Sequence, residues 1–241
     1  MKIKKHITAL ATAAALSATL PAVAQQSQHM TPETMLSLAR VGASALSPDG
    51  KTVVYSVGFP SIKDNKIRTE LFTISSDGSA RRQITQGVAG VHGARWIQQG
   101  RRISYISSES GDPQVWTMAP DGTDRRQVTN IEGGLSDYLF SPDEKQLAYI
   151  KEISFGKSTK EIYPDLPKAT GRIVTDLMYK HWDEWVETIP HIFIAPVGGE
   201  AITGGKDILE GEPYEAPTKP FGGAEELSWS PDGKTLAYSS R

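Results

Sequence analysis

The sequence predicts an all-β chain: a β-propeller of four-stranded antiparallel blades, incomplete at about three and a half blades. Three observations carry this. One phrase occurs four times without gaps: a large apolar residue (Leu46, Trp96, Phe140, Trp229) precedes a turn, and nine positions later stands a tyrosine (Tyr55, Tyr105, Tyr149, Tyr238). A second phrase follows three copies: Leu71-Phe72-Thr73 leads to Asp77-Gly78 and Ile84-Thr85, Val115-Trp116-Thr117 to Asp121-Gly122 and Val128-Thr129, and Ile192-Phe193-Ile194 to Gly198-Gly199 and Ile202-Thr203. Together they make two hairpins per repeat at a period of roughly 40–50 residues, the signature of propeller blades. A β-sandwich does not require one register four times over.

In chain order, residues 1–24 read as an export signal. Lys2, Lys4 and Lys5 precede an Ala/Leu/Thr stretch that ends in Ala22-Val23-Ala24, a small-x-small cleavage site before Gln25. The stretch is too short and too rich in alanine for a membrane span. No cysteine follows it, so no lipid anchor and no disulfide are expected. The mature chain is expected to be periplasmic or secreted, without a membrane anchor. Residues 25–40 form a leader in which Thr31-Pro32-Glu33 opens a short helix to about Ala39, an N-cap followed by proline at the first helical position.

Residues 41–241 hold the partial propeller. In Ser47-Pro48-Asp49-Gly50 the proline presets φ, the aspartate suits the third turn position and the glycine takes the left-handed conformation that reverses the chain. Gly100 keeps that position in the second copy, whereas the third has Glu144 there and should carry strain. Blade one runs from about Val41 to Thr85, blade two from Ala94 to Thr129 and blade three from Tyr138 to Thr203. An insertion at about 152–189 separates the second and third strands of blade three. It is expected to share one face with the connectors at Gln86–Ala94, Asn130–Asp137 and Gly204–Leu227. Blade four has its first hairpin alone, so these residues are expected to be the front part of a longer protein, with an unpaired strand edge.

A formal net charge of −2 with scattered Lys and Arg leaves no polybasic footprint, so no nucleic-acid partner is expected. Arg81-Arg82, Arg101-Arg102 and Arg125-Arg126 fall at turns or outer strands. No Gly-x-Ser-x-Gly, His-Glu-x-x-His, P-loop or Gly-x-Gly-x-x-Gly occurs. The five histidines (His6, His29, His92, His181, His191) lack metal-ligand spacing. No catalytic residue, metal or cofactor is therefore expected within the chain. Asp49, Asp143 and Asp232 recur as turn residues rather than calcium ligands.

One segment departs from the repeat background: Thr175 to Glu187, which contains His181-Trp182-Asp183-Glu184-Trp185. As a helix capped by Thr175 it lines Met178, Trp182, Trp185 and Ile189 along one stripe and leaves Asp183, Glu184 and Glu187 on other faces. Two readings follow. It is a docking helix with core tryptophans and solvated acids, or an acidic and aromatic clamp for a cationic ligand group.

The Ser-Pro-Asp-Gly-Lys-x-Leu-Ala-Tyr blades behind an export signal, with Thr170-Gly171-Arg172 leading to His181–Trp185, resemble the N-terminal propeller of prolyl oligopeptidase family serine peptidases. The bacterial dipeptidyl-peptidase and acylaminoacyl-peptidase-like members are the nearest in kind. The resemblance covers Thr31 to the end of the chain. It implies a C-terminal α/β-hydrolase domain of the same gene product carrying the Ser-Asp-His triad, and a propeller that admits only short peptide substrates. These residues alone are then inert. It also makes Glu184 or Asp183, flanked by Trp182 and Trp185, the counterpart of the acids that hold a substrate's free amine in dipeptidyl members. The blade phrase is shared with the periplasmic propeller of the Tol system, so the alternative of a different class is a non-enzymatic binding scaffold.

Overall fold

The computed structural model describes residues 29–175, 177 and 179–241. The expected export signal, and Met178 of the expected helical stripe, lie outside the described residues. Thr31 accepts a hydrogen bond from the Thr34 N–H and caps helix α1 (Pro32–Ser37).

Three four-stranded antiparallel sheets follow, each in chain order from its first strand to its fourth. Blade one comprises β1 (Arg40–Leu46), β2 (Thr52–Ser61), β3 (Lys66–Ser75) and β4 (Arg82–Gln83). Blade two comprises β5 (His92–Ile97), β6 (Arg102–Ser107), β7 (Gln114–Met118) and β8 (Arg126–Gln127). Blade three has β9 (Asp137–Phe140) and β10 (Gln146–Ser154); after the short helix α2 (Thr159–Ile162) and the strands β11 (Lys180–His181) and β12 (Glu184–Trp185) come β13 (Thr188–Pro196) and β14 (Lys206–Asp207). A final hairpin pairs β15 (Leu227–Trp229) with β16 (Leu236–Tyr238). The blade architecture expected from the repeats is borne out.

The spacing of the two phrases has a direct cause. Register places the tyrosine of each second strand opposite the aromatic residue of the third: Tyr55 with Phe72, Tyr105 with Trp116, Tyr149 with Phe193. The first and last of these pairs stack at 5.6 and 5.3 Å, a cross-strand contact that fixes register. The tryptophan of the first strand reaches sideways instead. Trp96 donates from Nε1 to the Ala45 carbonyl of blade one, and Trp229 to the Leu139 carbonyl of blade three.

The core lies between blades. Val54, Leu71 and Ile84 of blade one pack on Ile103, Tyr105 and Met118 of blade two. Ile106 and Val115 on the other face of blade two meet Tyr138, Leu147 and Tyr149 of blade three. Ala148, Ile150 and Ile192 meet Ala216 and Leu227 beyond. Leu147 and Tyr149 therefore face one neighbour and Ala148 and Ile150 the other, the two-residue period of a strand buried on both sides.

Three of the four first-hairpin turns repeat one hydrogen-bond pattern. Ser47 and Lys51 donate to Asp49 Oδ1 while Ser47 Oγ accepts from Thr52 N–H; Ser141, Asp143, Lys145 and Gln146 repeat it, as do Ser230, Asp232, Lys234 and Thr235. In each turn the serine hydroxyl first, then the backbone N–H, holds the aspartate below its ordinary 3.8. Gly50 and Gly233 have φ of 72° and 67°, and Glu144 holds the same conformation at 56°.

Two expectations are corrected. The fourth strand of blade three is Lys206–Asp207, not Ile202-Thr203. The residue matching Ile84 and Val128, whose N–H bonds back to the third strand, is Ile208, which donates to Ile192 O. Ile202 instead forms a parallel bridge with Thr129 of blade two, because the turn after β13 is longer than its counterparts and reaches across.

The second correction concerns the expected helix over Thr175–Glu187: its described residues Lys180–Trp185 are not helical. Lys180 pairs with Trp185 and His181 with Glu184 in a tight hairpin whose turn holds Trp182 at φ 52°, a conformation that ends any right-handed helix. The neighbouring ladder decides this. β10 and β13 pair from Gln146↔Pro196 to Ser154↔Thr188, and Phe155 N–H continues onto Glu187 O, so the segment must enter β13 already extended. Its Tyr, Trp and Val residues suit a strand as well as a helix.

Candidate functional site

The β11–β12 hairpin stands on the insertion, and two contacts fix it to the connector that precedes β15. His181 Nε2 lies 2.7 Å from Glu215 Oε1. Glu215 is itself nine-tenths buried, and its Oε2 accepts from Arg241 Nη2 at 3.0 Å and from Lys219 N–H at 3.2 Å. A buried carboxylate with this many donors is satisfied and immobile. At the hairpin tip Trp182 meets Phe221 edge to face at 5.3 Å. Lys219 Nζ also reaches Glu152 Oε1 at the end of β10, 2.7 Å away.

The four expected site residues fall on two sides of this hairpin. Trp185, though exposed, carries the chain's own cations on its ring: Lys180 Nζ and Arg172 Cζ lie 4.5 and 4.6 Å from it, Tyr179 packs at 5.9 Å, and Arg172 is held by Glu187 at 2.9 Å. Its cation-binding face is therefore already taken by the chain's own side chains. Trp182, by contrast, is 75% exposed. Asp183 and Glu184 are exposed, and neither carboxylate forms an ion pair among the described residues. The docking-helix reading with core tryptophans does not hold, since neither indole is buried. What the hairpin offers is two free carboxylates beside an open indole.

Phe221 and Glu215 are not legible in the sequence as parts of this arrangement, and neither is the contact of His181 with Glu215. The one local signal was an aromatic residue set among turn formers, Pro220-Phe221-Gly222-Gly223.

Among the described residues no group of three His, Asp or Glu side chains is placed to hold a metal ion, and no helix is long and apolar enough to cross a membrane. The buried His191 Nδ1 lies 2.8 Å from Asp207 Oδ2. This pair occupies the position of Glu70 in blade one and Gln114 in blade two, where the side chain ties the third strand to the next connector.

The blades and inter-blade cores define the chain as propeller, and solved structures agree. It superposes on TolB from Acinetobacter baumannii with a TM-score of 0.51 at 17% identity, over 83% of this chain and 37% of that one. It superposes on the acylaminoacyl peptidase of Pyrococcus horikoshii with a TM-score of 0.53 at 12% identity, over 76% of this chain and 27% of that one. At these identities the likeness is one of fold.

Sequence relatives are more particular. The chain is 62% identical over 214 residues to the dipeptidyl-peptidase 5 of Porphyromonas gingivalis, covering 89% of this chain and 31% of the relative. It is 49% identical over 216 residues to that of Porphyromonas endodontalis, covering 90% and 31%. The chain thus spans about a third of the length of the curated relatives it matches. No family model matches it. The resemblance to dipeptidyl-peptidase and acylaminoacyl-peptidase propellers is borne out.

Proposed function

We propose that the chain is the substrate-gating propeller portion of an exported serine peptidase that releases dipeptides from short peptides, and that Asp183 or Glu184 holds the peptide's free ammonium group. The observation that carries this is the 62% identity to a dipeptidyl-peptidase 5 over nearly the whole chain. The hairpin supports it with two exposed carboxylates that form no ion pair among the described residues. Catalysis belongs to an α/β-hydrolase domain of the same gene product, and the residues here select and admit substrate. The TolB likeness supports a scaffold equally at the level of fold. The sequence relatives favour the peptidase.

Replacing Glu184 or Asp183 by alanine in the complete gene product removes a charge-assisted hydrogen bond of about 1.5–3 kcal/mol. The expected result is a roughly ten- to hundred-fold loss of kcat/KM on free-amine dipeptidyl substrates and almost none on N-acylated ones. Equal losses on both substrate types, or none on either, refute the assignment. Purified residues 25–241 are expected to hydrolyse neither. Mass spectrometry of the exported product should find a mature N-terminus at Gln25.

A further inference from the structure

Trp182 is placed against every local preference. Its φ of 52° falls where glycine or asparagine is cheap and a bulky side chain is rare. Burial does not compensate, because the indole is 75% exposed and its sole aromatic neighbour among the described residues, Phe221, is 78% exposed. A strained turn that displays a large apolar side chain to solvent is a feature to be explained by what it binds. The connector that presents Phe221 is itself rigid: Thr218 N–H and Oγ1 donate to the Glu226 carboxylate, and Gly222 N–H donates to Thr218 O. With the His181–Glu215 contact at 2.7 Å behind the turn, two bare aromatic rings are held 5.3 Å apart at the hairpin that carries Asp183 and Glu184, whose carboxylates form no ion pair among the described residues.

We propose that Trp182 and Phe221 form a specificity platform for the hydrocarbon side chain of the peptide's first residue, the residue whose ammonium group the adjacent acids hold. This rests on the amine-binding reading above and adds the side-chain class to it. Charge complementarity selects the occupant. A free N-terminus brings its cation and its first side chain to the same place, so carboxylates and an aromatic surface side by side suit one apolar N-terminal residue. Trp185 is not part of the platform, since Lys180 and Arg172 already lie over its ring.

The test uses the complete gene product with Trp182→Gly and Phe221→Ala, and dipeptidyl substrates that differ only in a glycine, leucine or phenylalanine at the first position. Glycine relieves the turn, so Trp182→Gly is expected to melt no lower than the parent. The kcat/KM advantage of leucine or phenylalanine over glycine is expected to fall about ten-fold in both variants, with the preference for free over acylated amines retained. An unchanged ratio overturns the proposal. So does a lowered melting temperature with equal losses on all three substrates, the mark of rings packed against another part of the protein. If Asp183→Ala and Glu184→Ala leave the amine preference intact while the side-chain ratio still collapses, the amine reading falls and the platform stands.

Discussion

Glu144 shows how a single side chain can offset an unfavourable backbone. Its φ of 56° belongs to glycine in the three sister turns, yet its carboxylate accepts the Gln98 N–H from the corresponding turn of blade two. The strain was legible in the sequence, because a turn phrase with one odd letter points to itself; the bond was not, because its partner lies 46 residues away. Glu144→Ala should lose the bond and keep the strain, costing about 1–2 kcal/mol, while Glu144→Gly should lie about 1 kcal/mol above the alanine variant. Urea melts of both variants check this, and equal stabilities would remove the strain from the account. The turn aspartates make a pH prediction. Their folded values lie below the ordinary 3.8, so the stability they contribute is complete above that pH and is lost as pH falls through the lowered values. Ser141→Ala should move the Asp143 titration, followed by NMR, back up toward 3.8, because the serine hydroxyl is the largest cause of its depression. An unmoved titration would count against that cause.

Among elements, the third strands share a device that the repeat phrases did not announce. The residue before the apolar pair is Glu70, Gln114 or His191, all buried; Glu70 and Gln114 bind the segment that leaves the fourth strand, and His191 binds Asp207 within the fourth strand itself. Glu70 accepts from Thr85 Oγ1, Gly87 N–H and Arg68, and Gln114 takes the equivalent bonds from Thr129 and Ile131. Glu70→Gln should therefore cost about 1 kcal/mol, since blade two already works with an amide there. Glu70→Ala should cost about 2–4 kcal/mol by leaving buried donors unpaired. Similar losses in thermal unfolding for both variants would show that the charge, not the hydrogen bonds, matters. The hairpins were legible because turn chemistry and period are local. The last strand of blade three and the extended state of Lys180–Trp185 were not, since a long turn and a neighbouring ladder decide them.

For the whole molecule, stability resides between blades rather than within them. Each sheet contributes one side chain in two to either neighbour, so amides of Leu147–Ile150, with cores on both faces, should exchange with solvent slowest. Residues 155–175, almost all exposed, should exchange fastest. Hydrogen exchange resolved by residue checks the order, and a protected insertion would reverse it. The candidate site is least legible at this scale. Trp182, Asp183 and Glu184 stand out in the sequence, but Phe221 and Glu215 join them only through the path of the chain after blade three.

That path has one more effect. Ile202, between β13 and β14, is stitched to Val128 and Asn130 on the far side of the blade junction and sits in the core shared with Tyr138 and Tyr149. Repeat proteins gain or lose whole units when every unit meets its neighbours alike. Here the second and third units are riveted by a strand segment that skips the seam. A blade added or removed at that seam would strand Ile202 in water and open both partners, so this junction resists the insertion or loss of a unit.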